Sequence, residues 1–207
     1  MSDARWREEA LRLFRRYRHE IVEAYGLCPW ARDARMAEHV LLQEDDAVGP
    51  SLETLAKLAK LDIEVAVLVY PRVGLELAAF ERFVSRLRDA DAKIHPLGTI
   101  PFAMAAFHPD AAYDASDPER LIPFLRRTPD PTIQVVRSSV LDRVRGGAPQ
   151  GTSFVSVASL NLDVVVQPPL RERIARTNAA RVKATREAFE RVLEDIRLDR
   201  QRTYAAL

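Results

Sequence analysis

Residues 63–70, Ile-Glu-Val-Ala-Val-Leu-Val-Tyr ended by Pro71, constrain this fold more than any other segment. The run is nearly all apolar and rich in β-branched side chains, the pattern of a strand buried at the centre of a sheet. Helical patterns flank it. Residues 51–61 put Leu52, Leu55, Leu58 and Ala59 on one face behind Ser51 as cap, and residues 75–90 carry Leu77, Phe80, Val84 and Leu87 as an inner stripe. Residues 97–107 read as a second buried strand, with Pro101 pointing to a sheet edge. Short strands are expected at 40–43 and 132–137, the latter alternating Ile133, Val135 and Arg137 on one face with Gln134 and Val136 on the other.

The chain begins with a helical pattern over 4–25, in which Ala10, Leu13, Phe14, Tyr17, Ile21 and Ala24 share a face. Asp3 is placed to cap it and Gly26 to end it in a left-handed conformation, followed by the hydrophobic contact of Leu27. Further helices are expected over 116–125, 139–145 and 170–200, and weak alternation over 154–166 suggests one or two more strands. Helices alternating with strands imply an α/β (α+β) sandwich. The expected architecture is a ferredoxin-like or related open sheet, with helices on one face and a long C-terminal helix. The strand order is not readable from the pattern. No internal repeat or low-complexity tract interrupts it.

The chain has 207 residues, a length that suits one domain over 1–207. Thirty-one basic residues balance thirty acidic ones, so no basic field points to nucleic acid and no acidic one to cationic partners. A single cysteine excludes an intramolecular disulfide and a Cys-x-x-Cys pair within one chain, and fits a reducing compartment. The N-terminus carries a charged amphipathic pattern rather than an apolar signal core, and no apolar run approaches the ~20 residues of a membrane span. A cytoplasmic protein without nucleic-acid or membrane partners is the expectation. The oligomeric state is not readable.

Phosphate-binding loops, zinc-protease motifs, dinucleotide fingerprints and nucleophile elbows are absent. Gly146 and Gly147 read most simply as a helix stop. Four places carry chemistry. Cys28 sits before Pro29, which is favoured at the first position of a helix. As an N-cap, with Arg32 one turn on, the thiol would feel positive charge that favours the reactive thiolate. At the end of the preceding helix it would instead be a small buried hydrophobe. His108 ends the second apolar strand, in Phe107-His108-Pro109-Asp110, with Asp114 near. His108 and Asp110 fit a general base and its orienter, part of a metal site, or a turn capped locally by Asp110. Arg127 and Arg137 flank Thr-Pro-Asp-Pro-Thr, and an arginine ending an apolar strand calls for an anionic partner, structural or bound. Asn178 shares a helical face with Ile174 and Val182 and should point inward. His19, His39 and His95 lack such company and read as surface residues.

These four places resemble the bacterial family catalogued as domain of unknown function fourteen-fifteen. Its Leu-Cys-Pro-aromatic, Ser/Ala-Phe-His-Pro-Asp and Arg-Ser-Pro-x-Pro-Thr-x-His-x-x-Arg segments look like Leu27-Cys28-Pro29-Trp30, Ala106-Phe107-His108-Pro109-Asp110 and Arg127-Thr128-Pro129-Asp130-Pro131-Thr132-Ile133-Gln134-Val135-Val136-Arg137. A late helical asparagine of the family looks like Asn178. Two positions depart: Trp30 replaces phenylalanine, and Gln134 replaces the histidine of the third segment. Residues 147–169 resemble an insertion. The resemblance implies a site at Cys28 and His108 but names no reaction.

The leading expectation is an enzyme on a small anionic molecule. Cys28 would be the thiolate nucleophile or redox group, His108 its acid/base partner and Asp110 the orienter; Arg127, Arg137, Asn178 and Trp30 would bind the substrate. In an alternative, Cys28 or His108 ligates haem or a metal ion, the Cys-Pro step steering the chain away from the metal. In a third, the protein is a non-enzymatic binding or assembly factor with the long helix as partner surface.

Overall fold

A computed structural model describes residues 2–27, 34–96, 99–111, 126–144 and 170–207; for 170–175, 178–179 and 181–183 it describes the backbone only. Expected elements at 116–125 and 154–166, and the insertion at 147–169, lie outside the described residues. The elements run α1 (Asp3–Tyr17), β1 (Met36–Val40), α2 (Gly49–Ala59), β2 (Val65–Val69), α3 (Leu77–Ile94), β3 (Phe102–Phe107), β4 (Thr132–Arg137), α4 (Ser138–Val144) and α5 (Leu170–Ala205).

The strands form one open sheet in the order β1-β2-β4-β3. β2, from the 63–70 run, is buried at every position and sits between β1, which it meets in parallel, and β4, which it meets antiparallel. β4 thus lies between β2 and β3, the split β-α-β arrangement of ferredoxin-like sheets, while the parallel neighbour β1 departs from that pattern. β3 is an edge strand that starts just after Pro101, as that proline implied.

The helices cover both faces of the sheet, not one. Ala66, Leu68, Tyr70, Ile133 and Val135 pack with Leu55 and Leu58 of α2 and Phe80, Phe83 and Leu87 of α3. Val67 and Val69, on the other face of β2, pack with Ala10 and Phe14 of α1 and Phe189 and Ile196 of α5. A strand apolar at both its odd and even positions needs cover on both sides, and that requirement produces three layers. Within the described residues the expected layer elements are present, but the one-face expectation left Val67 and Val69 unpaired.

Several boundaries moved for local reasons. α1 does not run on to Tyr25: it widens at Tyr17 into a π turn, Arg18–Glu23, in which the Ala24 N–H reaches the His19 carbonyl. Gly26 then turns left-handed at φ 58°, as expected of a helix stop. Asp3 lies inside the first turn of α1 rather than capping it. α2 starts at Gly49 with Pro50 in its first turn. Ser51 is therefore inside the helix, where its buried hydroxyl shares a 2.9 Å hydrogen bond with the Tyr70 hydroxyl. The first strand is Met36–Val40 instead of 40–43. Helix α5 breaks its regular geometry at Thr185.

Among the described residues, no helix is long and apolar enough to cross a membrane.

Candidate functional site

Strands β1, β2 and β3 end, and β4 begins, at one end of the sheet. Most of the buried polar side chains among the described residues gather there: Ser51, His108, Thr128, Asp130 and Thr132 are each at most 3 % exposed. The reason lies in the loop Thr128-Pro129-Asp130-Pro131-Thr132. Two prolines remove two backbone donors from it. The buried Asp130 carbonyl takes its hydrogen bonds from side chains instead, the Thr128 hydroxyl at 2.7 Å and the Thr132 hydroxyl at 2.9 Å. The Pro131 carbonyl accepts from Tyr70 N–H and so ties the loop to β2.

The Asp130 carboxylate ties the same loop to α5. It accepts from Arg200 Nε and from the Tyr204 hydroxyl, both at 2.7 Å. Burial pushes its pKa up, and the Arg200 guanidinium and the Tyr204 hydroxyl pull it back. Burial, with the neighbouring carboxylate, also pushes the Tyr204 hydroxyl up, keeping it a donor.

His108 follows β3 directly. Its ring is buried against Phe80, with centroids 5.8 Å apart. Nε2–H donates to the Leu75 carbonyl at 3.0 Å, and Nδ1 accepts the Asp110 N–H at 3.1 Å. That pairing assigns the proton to Nε2 and occupies both ring nitrogens. The Asp110 carboxylate stands 3.8 Å from Nδ1 and is largely exposed. The geometry is a local turn, but the His108 ring caps the Asp110 N–H; the Asp110 side chain does not cap the turn. A metal ion, or a proton moving through His108, would require the ring to release one of its two backbone partners.

A cleft of about 390 Å³ opens beside this turn. One wall is Pro109 with Arg127, Thr128 and Pro129; the other is α5, through Glu190, Leu193, Ile196 and Arg197. Arg127 Nε donates to the Pro109 carbonyl, so the arginine and the histidine-held turn form one wall. Glu194 and Arg197, one turn apart on α5, pair along the rim, and that pairing holds the Glu194 carboxyl below its usual range.

The expected site residues divide. His108, Asp110 and Arg127 come together on one side of the cleft. Arg137 lies at the opposite end of β4, five residues and about 17 Å from Thr132. Its partner is not an anion. Arg137 donates to the carbonyls of Ile63 and Leu61, with a longer contact to Ala59, and its guanidinium stacks over Phe102. Backbone carbonyls of the loop after α2 meet the need for negative charge that the sequence pattern assigned to a carboxylate or ligand. Cys28, Trp30 and Asp114 lie outside the described residues, as does the side chain of Asn178. Leu27, the residue before Cys28, is buried in the cluster that holds Val40, Phe189 and Ile196. Among the described residues, no group of three or more His, Cys, Asp or Glu side chains is placed to hold a metal ion.

Asp130, Arg200 and Tyr204 were missed by sequence reasoning. An aspartate between two prolines and two threonines was the available signal. The donors Arg200 and Tyr204 are about 70 residues away in a charged helix and carry no local mark.

One family model matches the chain, over residues 10–163: Protein of unknown function (DUF1415). Neither the curated proteins nor the solved structures contain a match.

Proposed function

We propose that this chain, which belongs to the family Protein of unknown function (DUF1415), is an enzyme that acts on a small anionic molecule through the Cys28 thiolate, with the cleft between the Pro129 loop and α5 as its binding site. One observation carries the proposal: Ile196 of α5 both lines the cleft and shares a buried cluster with Leu27, to which Cys28 is joined by a single peptide bond. Arg127, fixed on the facing wall, supplies positive charge. His108 serves as a positioning residue, holding the turn that carries Pro109. Its part as proton carrier, with Asp110 as orienter, begins only when Nδ1 is freed from the Asp110 N–H. Arg137 has no place in this site. A cytoplasmic setting, reducing for a lone thiol, completes the reading.

Because the chain has one cysteine, thiol chemistry reports on Cys28 alone. Alkylation by iodoacetamide, followed by mass spectrometry across pH, should give a midpoint below the ordinary thiol value of about 8.5. A midpoint at or above that value, or a thiol that labels only after unfolding, overturns the proposal. Visible absorption and elemental analysis of the protein as purified separate a thiolate nucleophile from a thiolate bound to haem or metal.

A further inference from the structure

We infer that Arg200 is the oxyanion anchor of this cleft, presenting the end-on edge of its guanidinium to a carboxylate or phosphate group; the inference rests on the cleft being the ligand site. Leu193, Ile196, Arg197 and Arg200 follow one another at helical spacing on α5, so Arg200 continues the cleft wall one turn further. Asp130, its partner, is the neighbour of Pro129 on the facing wall. Arg200 thus stands one helical turn beyond the residues that line the cleft, and its partner adjoins Pro129 on the facing wall.

The way Arg200 is held separates it from an ordinary surface arginine. Its Nε donates to Asp130 Oδ1, while Asp130 Oδ2 accepts from the Tyr204 hydroxyl. The guanidinium carbon lies 4.9 Å above the centroid of that same Tyr204 ring. One carboxylate and one ring thus both hold the guanidinium. Trp6 also packs on Tyr204, the two ring centroids 4.6 Å apart. Among the described residues neither Nη has a hydrogen-bond partner, and the side chain keeps 30 % of its surface open. A planar pair of N–H groups, charged and oriented in advance, matches the two oxygens of a carboxylate or phosphate. A tether alone would need the Nε contact and no orienting ring.

The probes are inorganic phosphate and acetate, titrated at low salt into the full chain while the side-chain ¹⁵N resonances of arginine are followed. Arg200→Lys serves as comparison, since it keeps the charge beside Asp130 and loses the fork. The Arg200 Nη signals should shift saturably with one or both probes, and the affinity should fall at least tenfold in Arg200→Lys with its thermal midpoint little changed. The more effective probe identifies the source of the oxyanion. Undisturbed Arg200 signals with both probes, or equal affinity in Arg200→Lys, overturn the inference. Failure here with a low-pH alkylation midpoint at Cys28 leaves the thiol reading standing. Saturable binding through Arg200 with an ordinary thiol leaves the anchor standing and removes the thiol.

Discussion

His108 gives both ring nitrogens to the backbone, one as donor to Leu75 and one as acceptor from Asp110. Removing the ring takes a hydrogen-bond partner from the part-buried Leu75 carbonyl and from the Asp110 amide, and empties the space beside Phe80. His108→Ala should therefore cost about 2–4 kcal/mol of stability, measured by urea unfolding. Near-neutral stability with abolished ligand binding would instead mark the ring as a participant in chemistry. The sequence exposed His108 as a strand-end residue, because an apolar run followed by His-Pro is a local signal. It did not expose which atoms the ring meets, because Leu75 is 33 residues away. Arg137 misled for a related reason: an arginine at a strand end needs negative charge, and the backbone carbonyls of Leu61 and Ile63 supply it without any acidic residue in the sequence.

At the scale of elements, α5 docks onto α1 through charged contacts. Arg12 and Arg16 of α1 both reach Asp199, and Arg16 also reaches Asp195. These contacts, Arg12 first, hold the Asp199 carboxyl well below the usual carboxylate range against the cost of its partial burial. A depressed folded-state pKa stabilises above the unfolded pKa, near 4, and that stabilisation fades as pH falls below it. Asp199→Asn should lose about 1–2 kcal/mol at neutral pH. The difference from wild type should narrow below about pH 4 and in about 1 M salt, both read from denaturation midpoints. A pH-independent difference would mean that lost packing, not charge, sets the effect. The sheet edges are guarded in the same manner. Arg7 donates to the Val40 carbonyl at the end of β1, and Arg88 to the Met104 carbonyl of β3. Most of these elements were legible from periodicity. The π turn at Arg18–Glu23 and the break at Thr185 were not, since apolar spacing registers a helical face and not the hydrogen-bond step within it.

For the molecule as a whole, the apolar run of β2 defined the plan. It demanded a central strand, and its two apolar faces draw α2 and α3 to one side and α1 and α5 to the other. Sequence reading captured the α/β class, the open sheet and the long C-terminal helix. The strand order escaped it because pairing β4 between β2 and β3 is a long-range event. The same layering carries the account of the site. Bringing α5 onto the face with Val67 and Val69 sets it opposite the Pro129 loop and forms the cleft beside the cluster that contains Leu27. Whether Cys28 opens into that cleft is tested most directly by cross-linking. With Cys28 as the sole native thiol, Arg197→Cys adds a second one on the cleft wall, and Lys93→Cys adds one on the exposed side of α3 on the opposite face of the sheet. A short bis-maleimide should join the two thiols within one chain in the Arg197→Cys variant and not in the Lys93→Cys variant. Two labelled but unlinked thiols in Arg197→Cys, or equal linkage in Lys93→Cys, would contradict the account.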